Sequence, residues 1–159
     1  MSFKVVIPAR YASTRLPGKA LLILKDKPIV QHVYENACES GAEEVVIATD
    51  DQRIVDAAEK FNANICLTSD KHKSGTDRIA EVANINAWSD DVAIVNVQGD
   101  EPQMPAKNIK QVANNLLSNN QASMSTLCAQ IVDKDDFENP NVVKAVSYTH
   151  LTLPTTPYV

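Results

Sequence analysis

A chain of 159 residues, of which 44% are apolar and 22% are charged, has the composition of an ordinary globular protein and is long enough for one domain with a buried core. The formal net charge of −5 argues against a nucleic-acid-binding protein, because such proteins normally present a basic face. No apolar run is long enough to cross a bilayer, and the run that ends at Pro8 is too short for a secretory signal. We therefore expect no membrane insertion and a location in the cytoplasm.

Short β-branched runs alternate with helical stripes along the chain. Strands are predicted over five segments, residues 4–7, 44–48, 65–67, 92–97 and 124–129. Helices are predicted between them, with apolar stripes that begin at Val30, Ile54, Ile79 and Ile109. The fourth strand is the most hydrophobic and is expected at the centre of the sheet. The alternating order predicts a three-layer α/β fold, in which a mostly parallel sheet has helices on both faces.

The polar segments that follow the strands are where we expect chemistry, because open parallel sheets bind ligands beyond the carboxyl ends of their strands. These segments are residues 8–19, 49–52, 69–75 and 98–102. For Asp50 and Asp51, in the second segment, we expect a role at the entry of the following helix.

The first segment, residues 8–19, combines three cations with a glycine and two prolines. The guanidinium groups of Arg10 and Arg15 can each bind two phosphate oxygens at once, and Lys19 adds a mobile point charge. Gly18 allows close approach of the backbone, and we expect Tyr11 to be a packing residue. The loop therefore suits a polyanion such as a nucleoside triphosphate, although it matches neither GxxxxGK[ST] nor GxGxxG. A solvated basic turn is the alternative.

Asp100 and Glu101 directly follow the fourth predicted strand, in the segment VNVQGDEP. A carboxylate at this point is held by a rigid element at the mouth of the sheet. Mg²⁺ typically takes one or two such carboxylates together with substrate phosphates. Because the cationic loop lies at the same edge, Asp100 is a candidate metal ligand, and an acidic turn is the alternative reading.

The segment before the third helix carries Ser74, Gly75 and Arg78. Ser74 or Thr76 is expected to cap the helix, with Asp77 in its first turn. Capping does not explain Arg78, because a cation near a helix N-terminus is mildly unfavourable. The Ser74 hydroxyl, the Gly75 backbone and Arg78 are therefore candidates for contact with a base or a ribose.

Residues 147–159 differ in kind from the rest of the chain, since no Asp, Glu, Lys or Arg occurs after Lys144. The segment has no helical stripe, and its two prolines limit it to an edge strand or irregular structure. We expect either a terminal arm or sequence foreign to the fold.

Five motifs, IPARYASTRLPGK, ATDD, HKSGTDRIAEV, VNVQGDEP and NPNVVKAV, occur in this order. In these motifs and their spacing the chain resembles the 3-deoxy-manno-octulosonate (Kdo) cytidylyltransferases, from residue 1 to about residue 146. Sialic-acid cytidylyltransferases share the start of the pattern, whereas SGTDR and VQGDEP are similar to the Kdo type. The resemblance implies a Rossmann-like nucleotidyltransferase fold for residues 1–146, incomplete at its C-terminus, with residues 147–159 outside it.

The resemblance also implies a reaction, in which the anomeric hydroxyl of Kdo attacks the α-phosphate of CTP and diphosphate leaves. The family works with Mg²⁺, forms homodimers and serves lipopolysaccharide synthesis. It implies phosphate contacts for Arg10, Arg15, Lys19 and the backbone near Ala9, a sugar-nucleotide contact for Gln98, cytidine-side contacts for Ser74, Gly75 and Arg78, and Mg²⁺ binding for Asp100. Of these, Arg10, Lys19 and Asp100 are the implied catalytic residues.

The family continues beyond NPNVVKAV for about another third of its length, and that part holds most of the sugar pocket, a second Mg²⁺-binding aspartate and much of the dimer contact. Two alternatives to a working Kdo cytidylyltransferase therefore stay open. One is a truncated, inactive fragment that binds CTP and Mg²⁺. The other is a cytidylyltransferase for a related acidic sugar, such as 8-amino-Kdo or a sialic-acid-like sugar.

Overall fold

The structure is a computed structural model that describes residues 2–12 and 16–145. The predicted site residue Arg15 and the predicted tail 147–159 lie outside these ranges. Within them lie the strands β1 (Phe3–Pro8), β2 (Ile23–Leu24), β3 (Lys27–Pro28), β4 (Glu44–Thr49), β5 (Asn64–Leu67) and β6 (Ala93–Asn96). The helices are α1 (Ile29–Cys38), α2 (Gln52–Glu59), α3 (Gly75–Ile85), α4 (Ala106–Leu117) and α5 (Lys134–Glu138). None of these helices is both long enough and apolar enough to cross a membrane.

Four of the strands form a parallel sheet in the order β5-β4-β1-β6. β1 lies inside this sheet, where Val5, Val6 and Ile7 are completely buried. A run of β-branched residues suits this position, because a strand covered on both faces gains from apolar side chains at every residue. The prediction of a parallel α/β sheet is confirmed.

Helices cover both faces of the sheet, as predicted. Alternate residues of β1, Val5 and Ile7 among them, pack on the face covered by α1, α2 and α4. Val6 points to the opposite face, where it packs with Cys66 of β5 and Val82 of α3. This alternation follows from the period of two along a strand.

Two predictions about strands are wrong. β6 pairs only with β1 and lies at the edge of the described sheet, although its hydrophobicity favoured the centre. Coverage of its faces explains the apolar residues, since Ala93 and Val95 are buried there. Residues 124–129 form no strand, and Met124 and Leu127 are exposed. A strand needs a partner for its backbone hydrogen bonds, and no ladder in the described part of the chain includes these residues.

The order of the strands creates a crevice between β1 and β6. From β1 the chain crosses to β4 on one side, whereas β6 adds to β1 on the other side. Such a reversal of strand order leaves open space beyond the carboxyl ends of the two neighbouring strands, where α/β sheets bind ligands. The segments that follow β1 and β6 therefore face each other.

The chain divides into two compact units, residues 1–125 and 126–159. The first contains the sheet. In the second, Asp133 caps α5 by accepting a hydrogen bond from the Asp135 amide at 3.0 Å. Val132, Phe137 and Val143 are exposed, and the described residues of this unit include no buried apolar side chain. The boundary predicted at residue 146 falls inside this second unit and stays a prediction.

Replacement of Ile54 by alanine should test the packing of α2 on the sheet. Ile54 is completely buried, so we expect Ile54→Ala to lower the free energy of unfolding by about 2–5 kcal/mol, measured by urea titration. Ile85→Ala is the matched control, because Ile85 is 57% exposed and its loss should change stability little. Equal losses in the two variants would contradict the assignment of Ile54 to the core.

Candidate active site

A cleft of about 450 Å³ opens between the carboxyl ends of β1 and β6. Six of the predicted site residues line it: Ala9, Arg10, Lys19, Gly75, Gln98 and Asp100. They come from three separate segments, and the parallel sheet brings these segments to one edge. The cleft lies wholly within the first unit of the chain.

The floor of the cleft is a close contact between the segments after β1 and β6. The Gly99 amide donates a hydrogen bond to the Pro8 carbonyl at 3.3 Å. A Cβ atom on Gly99 would lie 2.9 Å from that carbonyl oxygen, which is closer than real Cβ atoms approach. Gly75 at the start of α3 also faces Pro8, but a Cβ there would lie at an ordinary 3.5 Å from Pro8 Cγ. Only Gly99 is therefore required to be glycine by this contact.

Lys19 and Asp100 form an ion pair across the cleft, with 2.8 Å between Lys19 Nζ and Asp100 Oδ2. Lys19 begins a single turn of 3-10 helix, Lys19–Leu21, after the loop, and Asp100 follows Gly99. Their side chains are 41% and 48% exposed, so solvent screens the pair and its contribution to stability is small. Both groups remain accessible to a ligand that carries phosphates and a cation.

Arg10 reaches across to the segment before α3, where its Nη2 atom donates to the His72 carbonyl at 2.8 Å. A guanidinium has five N–H donors, and this bond uses one of them. The His72 ring is held in turn by Glu81, with 2.5 Å between Nε2 and Oε2. This contact with His72, together with the Ser69 amide, keeps the pKa of Glu81 below its usual value.

Ser74 caps α3, which confirms the capping prediction. Its Oγ accepts from the Asp77 amide at 3.1 Å, and an Asp77 carboxylate oxygen accepts from the Ser74 amide at 3.2 Å. The Ser74 hydroxyl also donates to this carboxylate at 2.7 Å, and its hydrogen bond lowers the Asp77 pKa. The reciprocal bonds satisfy two free donors at the helix N-terminus. Contact of the Ser74 hydroxyl with a nucleotide stays a prediction.

Arg78 does not line the cleft, and its side chain is completely buried. Its Nη2 atom donates to Asp50 at 2.8 Å, and its Nη1 atom donates to the Thr68 hydroxyl. Nε has no partner in the structure. The carboxylate of Asp50, at the end of β4, therefore explains a cation in the first turn of α3. A direct contact of Arg78 with cytidine stays a prediction.

Asp51 is the N-cap of α2, which confirms the role at the helix entry that was predicted for it. The same prediction for Asp50 is wrong, because the Asp50 carboxylate accepts from Arg78 of α3. The Asp51 carboxylate accepts from the Arg53 amide at 3.0 Å. The Arg53 side chain folds back onto the same carboxylate and covers the ring of Tyr11. The sequence reasoning missed Arg53, because a contact between a loop and a helix at distant points of the chain leaves no local pattern. Tyr11 is a packing residue, as predicted.

Known proteins with similar sequences are consistent with this geometry. The sequence model of the cytidylyltransferases matches residues 4–151. The chain belongs to this family. The 3-deoxy-manno-octulosonate cytidylyltransferase of Thioalkalivibrio sulfidiphilus is 58% identical to it over 146 residues, which are 92% of this chain and 58% of that protein. The enzyme of the same name from Pseudoalteromonas atlantica is 51% identical over 162 residues, with 97% of this chain and 64% of that protein covered. The chain thus spans less than two thirds of the length of these relatives.

Solved structures of the family share the fold. A CMP:2-keto-3-deoxy-manno-octonic acid synthetase complexed with CTP is 39% identical, with a TM-score of 0.68 over 75% of this chain and 48% of that one. A cytidylyltransferase from Leptospira borgpetersenii is 27% identical, with a TM-score of 0.65 over 76% of this chain and 50% of that one. The prediction of a Rossmann-like nucleotidyltransferase fold is therefore confirmed.

Two glycines that face Pro8 allow a matched test of the cleft floor. Gly99→Ala places a methyl group against the Pro8 carbonyl, so we expect a loss of about 1–3 kcal/mol in the free energy of unfolding. Gly75→Ala introduces the same methyl at an ordinary distance within a helix, so its stability should be unchanged or slightly higher. Urea unfolding of both variants measures the difference. Equal effects would show that the Gly99 contact is not tight.

Proposed function

We propose that the chain carries the nucleotide-binding part of a Kdo cytidylyltransferase, which joins CMP from CTP to Kdo and releases diphosphate. The observation that supports it most is the cleft itself, where Arg10 and Lys19 stand opposite Asp100 at the switch in strand order. The choice of Kdo as the sugar rests on the closely related proteins, which are named as 3-deoxy-manno-octulosonate cytidylyltransferases. In keeping with this reaction, we place the protein in the cytoplasm and in lipopolysaccharide synthesis.

The cations suit the charge that develops during nucleotidyl transfer. The anomeric hydroxyl oxygen of the sugar forms a bond to the α-phosphorus of CTP and loses its proton. The bond from the α-phosphorus to the bridging oxygen breaks, and the electron pair leaves with diphosphate. Negative charge grows on the oxygens around phosphorus and on the leaving group. Arg10 and Lys19 stabilise this charge and hold the phosphates in line.

Asp100 suits a divalent metal that arrives with the nucleotide. The described residues contain no cluster of three or more ligating side chains, so this part of the chain offers no preformed cage. Mg²⁺ needs none, because it typically binds one or two carboxylates, substrate phosphates and water. When bound, it would neutralise phosphate charge beside Lys19. The exposed Asp100 carboxylate fits this requirement, and Mg²⁺ is therefore the metal we propose.

The other predicted residues surround this centre in the proposal. Gln98 lines the cleft next to Gly99, and in the proposal it contacts the sugar nucleotide. The backbone at Ala9 and Gly75 borders the same space, and Ser74 begins α3 beside it. Arg15 completes the phosphate contacts in this scheme, and Arg78 supports the cytidine side. A homodimer remains part of the proposal by family membership.

A second candidate function is nucleotide binding without turnover. It is favoured by the lining of the cleft, since Arg10, Lys19 and Asp100 are charged groups that suit the phosphates and the metal of a nucleotide. Diphosphate release from CTP, Mg²⁺ and Kdo separates the two. Turnover supports the enzyme, whereas CTP binding without turnover supports the binding fragment, and turnover with 8-amino-Kdo or a sialic acid in place of Kdo points to a related sugar. A chain that does not bind CTP would contradict all three.

Lys19→Met should weaken the binding of CTP in the presence of Mg²⁺. Loss of a charged hydrogen bond to phosphate predicts a dissociation constant higher by about 10- to 100-fold, measured by calorimetry. Lys110→Met is the matched control, because Lys110 is an exposed lysine of α4 and lies outside the cleft. Its dissociation constant should equal that of the original chain. Equal weakening in both variants would indicate a general effect of charge and contradict a phosphate contact.

Asp100→Asn should change the affinity for CTP in opposite directions in the absence and in the presence of Mg²⁺. Without metal, the triphosphate must break the pair between Lys19 and Asp100, so the variant should bind free CTP more tightly than the original chain. With Mg²⁺, the variant lacks the proposed metal ligand and should bind CTP more weakly. Calorimetry in EDTA and in Mg²⁺ tests the crossing. Weaker binding under both conditions would contradict this assignment of Asp100.

A further inference from the structure

The side chain of Arg53 is fixed in one orientation at the start of α2. Its Nε donates to Asp51 Oδ1 at 2.8 Å, and its Nη2 donates to Asp51 Oδ2 at 2.6 Å. This is the two-point contact that a planar guanidinium makes best with a carboxylate. Asp51 is itself held in place as the N-cap of α2. The plane of the guanidinium is therefore set by the helix.

The guanidinium lies over the ring of Tyr11, with 3.3 Å between Arg53 Cζ and the ring centroid. Cations are attracted to the face of an aromatic ring, and Arg can also stack on it in parallel. Tyr11 belongs to the loop after β1, whereas Arg53 belongs to α2, which follows β4. This contact therefore joins the cationic loop to α2.

Tyr11 also closes that loop. Its carbonyl accepts from the Gly18 amide at 2.8 Å, and a Cβ on Gly18 would lie 3.0 Å from Tyr11 Cε2. Gly18 has a φ of +69°, a conformation that glycine adopts without strain. The residue before Tyr11 is Arg10, and the residue after Gly18 is Lys19. The closure therefore sets the distance between the two cations that line the cleft.

Arg53 itself faces another groove, beside Leu21 and Phe61, and does not line the cleft. Its side chain is 59% exposed, so its ion pair contributes little to stability. Hydrogen bonds from the Arg53 side chain lower the pKa of the Asp51 carboxyl, which favours the ionised form that holds Arg53. The arrangement thus fixes a loop without strongly stabilising the fold.

We propose that Arg53 is a positioning residue for the triphosphate, and that it acts through Tyr11. Fixed by Asp51, it clamps the Tyr11 ring, and the closed loop then presents Arg10 and Lys19 at the spacing that a chain of phosphates requires. This inference rests on the proposed function, since it assumes that the cleft takes a nucleoside triphosphate. It assigns Arg53 no contact with the ligand.

The test compares CTP with CMP, each in Mg²⁺, by calorimetry or by NMR titration. Arg53→Ala should weaken CTP binding on the order of tenfold, because misplaced groups lose much of their contact, while CMP binding changes less. The ratio of the affinity for CTP to the affinity for CMP therefore falls. A purely structural role would lower the unfolding temperature and leave that ratio unchanged. Lys60→Ala is the matched control, since it removes one exposed positive charge just after α2.

Three further single variants and one double variant test whether Arg53 acts through Tyr11. Arg53→Lys keeps the charge but loses the two-point contact and the stacked plane, so it should resemble Arg53→Ala. Tyr11→Phe keeps the ring and should bind CTP normally, whereas Tyr11→Leu should lower the ratio. In the double variant of Arg53→Ala and Tyr11→Leu, the loss of CTP affinity should be smaller than the sum of the two single losses, because both substitutions remove the same contact between Arg53 and Tyr11.

Several outcomes would contradict either the role of Arg53 or the proposed function. An unchanged ratio in folded Arg53→Ala would overturn the inference, as would full rescue by Arg53→Lys or additive losses in the double variant. If Arg53→Ala does not fold, Arg53→Lys and Tyr11→Leu decide in its place. If the original chain binds no CTP, the proposed function fails, and this result is distinct from a failure of the clamp.

Discussion

The contact between Gly99 and Pro8 is the constraint on which the site depends. It joins the end of β6 to the end of β1 so closely that a methyl group would not fit between them. Because the strands are parallel, this approach brings the two following segments to one edge of the sheet. The cations of one segment then stand opposite the carboxylate of the other. A looser contact would separate Lys19 from Asp100, and the cleft would lose its paired charges.

Around this floor, the turn after β4 supports both sides of the cleft. Asp50 holds the buried Arg78 at the start of α3, and Asp51 holds the exposed Arg53 against the loop after β1. The two neighbouring aspartates therefore act in different environments. A buried ion pair is costly to break on one side, because the remaining charge is left without a partner, whereas an exposed pair mainly fixes geometry.

The sequence was a good guide to the fold where apolar residues follow a clear period. The strands β1 and β4, the stripes of the first four helices and the cap at Ser74 were all predicted from local patterns. The edge position of β6 was not, because hydrophobicity reports coverage of a strand's faces and does not report how many neighbours it has. Residues 124–129 show the same limit, since an apolar run without a partner strand does not become one.

Prediction of the site followed a similar division. The residues that line the cleft could be found because each follows a strand, and the sheet brings such segments together. The burial of Arg78 and the stacking of Arg53 on Tyr11 depend on contacts between distant segments. Their partners, Asp50 and Tyr11, were noticed as local features, and nothing in their spacing indicated which arginine each would meet.

The pairing of Phe3 with Ala93 also has a consequence for the order in which the molecule is assembled. The cationic loop emerges early in synthesis, but the strand that closes the cleft follows only after four intervening strands and three helices. Joining such distant segments costs more loop-closure entropy than any neighbouring contact, so β6 docks late in a chain that folds as it is made. Until then the loop is a basic patch without its acidic counterpart, and the two sides of the cleft first meet when β6 pairs with β1.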